Sequence, residues 1–516
     1  MSSLPSFLAA ASGPRGPSHD QRAACRSALA GAVALAVALG VGRFAFTPLL
    51  PLMLAGGELD IRHGGWLASA NYAGYFVGAM TCARIAVDPA RMVRAGLAAT
   101  VLLTFAMGLA SPFWVWALVR FVGGAVSAWT FVFASQWGLR RVVEHGAPAW
   151  GGVIYTGPGI GIVATGLIGF ALAGRHAALG WIGFAAASAV LTAFVWRAFG
   201  AAGAGTDGGQ SRGGAKRAGD GVSVADAAGR AGERLAAGAA EGAEGAEAVA
   251  DAVSAANVAD TADTANTANS ANSANSANSA NSANSANSAT ATAERNSPVA
   301  GVAGQHGAMA APAARAPHVE SAAARRDAFW LVLLYGLPGF GYIITATFLP
   351  VIARAALPAH SRWPDLFWPM FGAALIAGAL LGARLPSGWD NRLLLAACCA
   401  VQALGVALGI VWPTAPGFAL GSALVGLPFT AITLFAMREA RRLRGERAAG
   451  LMGYATASYG VGQIAGPLAA APLAAHAGSF SPALWLAATM LAVGAAGFAA
   501  VALRAWRART RGGGVG

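Results

Sequence analysis

Charged residues are scarce in this sequence, 11% of 516 residues, against about a quarter in an average soluble domain. With 56% of the chain hydrophobic, too little polar surface remains to coat a water-soluble globule. The eight His and 22 Asp and Glu residues are missing from the interiors of the apolar runs. They fall in loops, at run ends such as Asp327 and Glu439, or in one long polar segment. Hydrolysis or group transfer needs a base, normally His or a carboxylate, within hydrogen-bond reach of its nucleophile. The loop histidines form no such constellation, so no enzyme is expected. Cysteine is rare too: Cys25, Cys82, Cys398 and Cys399 show neither metal-ligand spacing nor a secreted disulfide framework. They read as small buried hydrophobes, and no metal or cofactor is expected.

What the chain has in abundance is apolar runs of about 20 residues, each able to cross ~30 Å of hydrocarbon as a helix. Six runs, at about 28–54, 64–84, 93–111, 113–137, 149–172 and 179–198, precede a long polar interruption. Six more follow it, at about 328–353, 366–385, 392–412, 415–437, 448–472 and 482–503. In lipid a helix satisfies its own backbone, so these runs are read as helices despite their Gly and Val content. Ser111-Pro112 makes spans 3 and 4 an antiparallel hairpin. The expected fold is an all-α membrane protein of twelve transmembrane helices. Two six-helix bundles, 28–199 and 327–505, are joined by a disordered linker at 200–326 and flanked by tails at 1–27 and 506–516.

The net charge of +13 does not point to nucleic acid, because Lys and Arg cluster between alternate spans rather than on one face. One side collects Arg84, Arg91, Arg94, Arg140, Arg141, Arg384, Arg392, Arg438, Arg441, Arg442, Arg444 and Arg447, whereas the other has Arg62, Arg175, Arg354 and Arg362. The positive-inside rule then places both termini and the linker in the cytoplasm, in a bacterial inner membrane. The N-terminal stretch lacks an early apolar h-region, so the first span reads as a retained helix, not a signal peptide. The linker has no aromatic residue and repeats Asn-Ser-Ala from Asn269 to Ala289, a composition unable to bury a core.

The two halves overlay at an offset of 299 residues. Gly40, Gly42, Leu50 and Pro51 of span 1 fall on Gly339, Gly341, Leu349 and Pro350 of span 7. The same offset pairs Gly151, Tyr155 and Gly161 of span 5 with Gly450, Tyr454 and Gly460 of span 11. Architectures built from such repeats hold their sites near the midplane between the repeats. The Gly and Pro residues of spans 1 and 7, Pro48 among them, predict broken or bendable helices there.

Several motifs resemble those of the major facilitator superfamily. Arg120-Phe-Val-Gly123-Gly124 resembles its span-4 Arg-x-x-x-Gly signature, and Gly157-Pro158-Gly159-Ile160-Gly161 is similar to its Gly-Pro-x-x-Gly antiporter signature. The loop from Gly78 to Arg91 keeps Arg84, Asp88 and Arg91 of the Gly-x-x-x-Asp-Arg-x-Gly-Arg motif at altered spacing. Gly42-Arg43-Phe44 with Thr47-Pro48-Leu49-Leu50-Pro51, followed by Gly64-Gly65-Trp66-Leu67-Ala68-Ser69-Ala70-Asn71-Tyr72, resembles the YbfB/YjiJ-type branch. The resemblance covers the twelve spans but not the linker. It implies a secondary transporter that rocks two halves around a central site lined by spans 1, 4, 7 and 10. Its motifs imply gating or structural roles for Pro48, Pro51, Arg84, Asp88, Gly157, Pro158, Gly161 and Pro350, and its antiporter-like element favours export over import.

Two charges lie inside spans, Arg43 and Arg120. Each costs ~2.5–3.5 kcal/mol at a helix centre on insertion scales, and such residues normally face a bundle interior or an aqueous cavity. Arg120 has a competing structural role, bonding neighbouring backbone. All seven tyrosines also lie within spans, although Tyr normally favours the headgroup belts. Asn71, Gln136, Gln402 and Gln463 are further interior polar groups. The expected substrate site is Arg43, Asn71, Tyr72, Arg120 and Tyr342, binding a small molecule, and with two cations and no carboxylate the ligand is expected to be a small organic anion. A monomer is expected, with the bilayer as its surroundings. A non-transporting receptor or scaffold on the same fold is the alternative.

Overall fold

A computed structural model describes residues 19–200 and 322–512, apart from 86, 148–149, 383–384, 387 and 446–447. Most of the 200–326 linker, the outer parts of both tails, Arg384 and Arg447 therefore lie outside the described residues. Among those described there is no strand. Spans 1 to 6 are Asp20–Ala55, Ile61–Thr81, Pro89–Leu109, Phe113–Glu144, Gly151–Ala171 and Ala177–Val195. Spans 7 to 12 are Ala322–Ala356, Trp363–Gly382, Asn391–Val411, Ala415–Arg444, Ala448–Ala477 and Ser481–Ala508. The even number brings the described ends at His19, Gly200, Ala322 and Gly512 to one side, called the inner side below.

Several helices outrun the apolar segments that mark them. Span 4 continues to Glu144 and span 7 begins at Ala322, about a turn or two beyond the hydrophobic run. Hydropathy reports where lipid ends, whereas the backbone stays helical into water. There the polar turns add short-range ion pairs such as Arg140–Glu144, 3.4 Å apart. Helix starts are capped: the Asp60, Asp88 and Asp390 carboxylates accept from the backbone N–H groups of His63, Arg91 and Arg392.

Ten of the twelve helices are long and apolar enough to cross a membrane by composition alone. The two that are not, spans 2 and 11, are rich in Gly, Ala and polar side chains, and they pack on each other across the two halves. Each needs no continuous lipid-facing surface, because one flank is covered by the other half. Within the first half, a Cβ at Gly74 would overlap the Phe121 carbonyl, so spans 2 and 4 meet backbone to backbone, the small-residue packing common in membranes.

Span 1 is distorted, as its Gly and Pro content predicts. Residues Ala36–Val41 form a π-helical turn, irregular turns that keep helical backbone at Gly42 and Ala45 follow over 42–45, and an α-helix resumes at Phe46. A Cβ at Gly40 would overlap the Gly161 backbone, so the π-helical turn lies directly against span 5. Span 7 is not broken: it runs as one helix from Ala322 to Ala356 with Pro338 and Pro350 inside. Pro350 has no N–H to give the Ala346 carbonyl; Thr47 of the other half supplies the donor, its hydroxyl 3.0 Å from Ala346 O. Thr47 and Ala346 are 299 residues apart, the offset of the internal repeat. Equivalent positions that touch each other lie on the axis relating the halves.

The hydrophobic cores are divided by depth. On the outer side one cluster mixes both halves, with Phe44, Leu49 and Trp181 packed among Phe348, Trp368 and Leu491. On the inner side the cores are separate: one around Phe133, Trp137 and Phe199 of the first half, another around Tyr335, Phe435 and Phe498 of the second. The halves are therefore fused on the outer side and parted on the inner side.

Carboxylates enter span ends further than the sequence reading placed them. Asp365 is buried in the first turn of span 8, bonded to Arg354. Glu439 is buried near the inner end of span 10 and binds Arg442. Arg392, also buried, lies 3.3 Å from Asp327, 3.0 Å from Asp390 and 3.6 Å from Glu439. This cluster ties together the inner ends of spans 7, 9 and 10.

Candidate functional site

Between the parted inner ends lies a cavity of about 190 Å³ lined by both halves. Its walls are mostly aromatic and apolar, with Phe76 and Phe131 on one side and Tyr335, Phe429 and Tyr459 on the other. Arg43 is the one charged side chain among the described residues that line it. Arg43 follows the π-helical turn of span 1, in the irregular stretch at 42–45, and its guanidinium lies at the blind end of the cavity. π-Helical insertions recur at functional sites.

The guanidinium is 5% exposed and has no carboxylate partner among the described residues. It lies over the rings of Tyr75, Tyr72 and Phe44, at 4.2, 5.0 and 5.3 Å from their centroids, contacts worth ~0.5–2 kcal/mol each. Nη2 donates to Oε1 of Gln463, 2.9 Å away, and Gln463 Nε2 in turn donates to the Tyr342 hydroxyl. Nε is buried and makes no hydrogen bond. Arg43 and Tyr342 are equivalent positions of the 299-residue repeat, so the two halves present matched residues that converge on one amide. Tyr459 stacks between Tyr342 and Tyr335, with centroids 5.8 and 4.8 Å away.

Of the residues that the sequence marked for substrate, Arg43 reaches the cavity and the other four stand behind it. Tyr342, fully buried, holds Gln463. The Tyr72 hydroxyl bonds Thr347 Oγ1 at 3.0 Å, closing the layer above Arg43. Asn71 is fully buried and donates to the Arg120 carbonyl at 2.8 Å. Arg120 points away from the cavity: Nη2 is 3.3 Å from the Arg43 carbonyl, with Nη1 and Nε 3.5 Å from those of Gly42 and Leu67. The irregular stretch explains this placement. Thr47 N–H bonds Phe44 O rather than Arg43 O, and the carbonyl left over is taken by Arg120.

Among the motif residues, Pro158 lines the cavity, while Gly157 and Gly161 press span 5 onto the carbonyls of Ala32 and Ala36. Pro48 and Pro51 lie in the resumed helix of span 1. Asp88 caps span 3, and Arg84 is exposed at the end of the preceding turn. The sequence offered Gln463, Tyr75, Tyr335 and Tyr459 as interior polar groups without distinguishing them. A usable signal was their confinement to spans 2, 7 and 11, two of which are the least apolar helices.

Above Arg43 the outer side is sealed by cross-half hydrogen bonds. Besides Thr47–Ala346 and Tyr72–Thr347, Ser69 donates to Ile464 O at 2.8 Å and Arg362 to Phe170 O at 2.7 Å. The arrangement is a solute-sized chamber between two repeats, closed outside and accessible inside.

Comparison with known proteins agrees with the two-repeat fold. The chain is similar in fold to the nucleoside transporter NupG, solved as its D323A mutant, at a TM-score of 0.56 and 12% identity over 92% of this chain and 99% of that one. At that identity the likeness concerns the fold. No curated protein matches the sequence. One family model, described as "Uncharacterised MFS-type transporter YbfB", matches residues 35–218 and 282–498, most of both halves. The chain therefore belongs to the YbfB-type family of major facilitator transporters.

Proposed function

We propose that this transporter carries a small organic anion by alternating access, with the charged group of the solute held at Arg43. The observation that carries this reading is a cavity with one charged lining residue, a cation that has no carboxylate partner among the described residues. In a weakly screening environment an uncompensated guanidinium attracts anions strongly, and its planar fork matches a carboxylate. The aromatic walls suit an apolar body attached to that group. The fused outer and parted inner cores support a rocking motion in which the outer bonds break as the inner ends close.

Export is the direction that we propose, because Gly157-Pro158-Gly159-Ile160-Gly161 resembles the antiporter signature. The side rich in Arg is the cytoplasmic one by the positive-inside rule. A maleimide reagent applied from outside is expected to label Gly56→Cys or His360→Cys and to miss Asn272→Cys. Labelling of Asn272→Cys alone reverses the orientation.

The substrate class is testable on purified protein. Among organic anions, cations and neutral solutes of similar size, aromatic or aliphatic carboxylates are expected to raise the melting temperature most. A ligand present at a hundred times its Kd adds about 2.7 kcal/mol. Saturable carboxylate flux in proteoliposomes is the matching transport result. Stabilisation by cations alone would refute the anion assignment.

A further inference from the structure

We infer that Gln463 is a competing occupant of the anion site, a latch between the halves that the substrate must displace. The inference rests on the anion reading of Arg43 and deepens it. The Nε–H and one Nη2–H of a guanidinium are parallel and form one of its two-pronged edges, the geometry that takes both oxygens of a carboxylate. On Arg43, Nη2 is bonded to Gln463 at 2.9 Å, and Nε, buried beside it, makes no hydrogen bond. A buried charged donor without an acceptor is costly, and a single amide oxygen cannot serve both prongs. A carboxylate can, and its second oxygen then meets the Gln463 oxygen at Nη2, two acceptors crowding one nitrogen.

The exchange has a structural consequence because its two partners belong to different halves. Arg43 is in span 1 and Gln463 in span 11, 420 residues away in sequence. Their bond is the cross-half hydrogen bond at the blind end of the cavity, below Thr47–Ala346 and Tyr72–Thr347. When an anion takes Arg43, one tie between the halves is lost, and Gln463 keeps its bond to Tyr342 within its own half. Occupancy is thereby felt at the seam that has to open. A ligand able to make one hydrogen bond, such as an alcohol or a ketone, fills Nε and leaves the latch in place. The site accordingly selects two-oxygen planar anions, carboxylates above all, over neutral solutes of the same shape.

A competitor differs from a substrate ligand in the sign of its mutant effect. Gln463→Met keeps the volume and removes the acceptor. Measured by calorimetric titration in detergent with benzoate and longer aryl carboxylates as probes, this variant is expected to bind about five- to tenfold more tightly than the unmodified protein, since a hydrogen bond to a charged group no longer has to be broken. Gln463→Glu places a carboxylate where the amide was and is expected to weaken the probes at least tenfold, while raising the melting temperature of the ligand-free protein. Weaker binding in Gln463→Met would overturn the latch and make Gln463 a direct ligand. If aryl carboxylates bind neither the unmodified protein nor either variant, the anion reading itself fails. If they bind the unmodified protein and Gln463→Met equally, the anion reading stands and the latch alone is wrong. Should Gln463→Met fold poorly, Gln463→Leu offers the same comparison.

Discussion

Arg43→Gln is expected to abolish organic-anion binding, weakening it by about a hundredfold or more, which corresponds to two lost hydrogen bonds to a charged group at ~1.5–3 kcal/mol each. Gln is the informative replacement because a second amide can still bond Gln463, so the seam between the halves stays closed and the fold survives. Arg43→Lys retains the charge but lacks the two-pronged edge, and intermediate affinity is expected. Titration of both variants beside the unmodified protein, with flux in proteoliposomes, measures the effect. Unchanged carboxylate affinity in Arg43→Gln would remove Arg43 from the site.

Arg392→Ala is expected to be the most damaging change outside the cavity, costing about 3–5 kcal/mol. The side chain is 3% exposed and is shared by Asp327, Asp390 and Glu439. Its removal takes away the cation shared by three carboxylates where spans 7, 9 and 10 meet, leaving Arg442 on Glu439 and Arg504 near Asp327. The same cluster sets an acid limit on stability. Burial pushes the Asp390 carboxyl up, but hydrogen bonds and charge from Arg392, with Arg442 beyond, outweigh it and hold the group below the usual carboxylate range. A depressed carboxylate contributes stability above its unfolded pKa, and that contribution is lost as pH falls through the folded value. Melting temperature is expected to fall as pH drops below about 4, and Arg392→Ala to melt lower at neutral pH with a shallower acid slope. Equal melting curves for the two proteins at neutral pH would show that the cluster is not stabilising.

The two arginines show how far sequence reading reaches at such a site. Both stood out, because a cation inside a span needs a reason. Arg120 alone had a competing role in bonding neighbouring backbone; in the fold Arg43 faces the cavity and Arg120 bonds the carbonyls of Gly42 and Arg43. Asn71 behaves like Arg120: its polarity was legible, but its partner, a backbone carbonyl of another helix, was not. Gln463 shows the converse. An amide in span 11 is unremarkable until span 11 is laid against span 1.

The sequence by itself determined the twelve spans, their division into two repeats and the 299-residue register, because lipid admits few backbone solutions and hydropathy reports them directly. It also determined that a cation and aromatic rings, not carboxylates, occupy the membrane interior. Only the tertiary structure decided that Arg43 lines the cavity while Arg120 bonds the carbonyls of Gly42 and Arg43, that Gln463 closes the seam, and that the halves part on the inner side. Those outcomes depend on which side chains from distant spans meet. Such contacts involve partners hundreds of residues apart, and the spacing of residues along any one helix does not encode them.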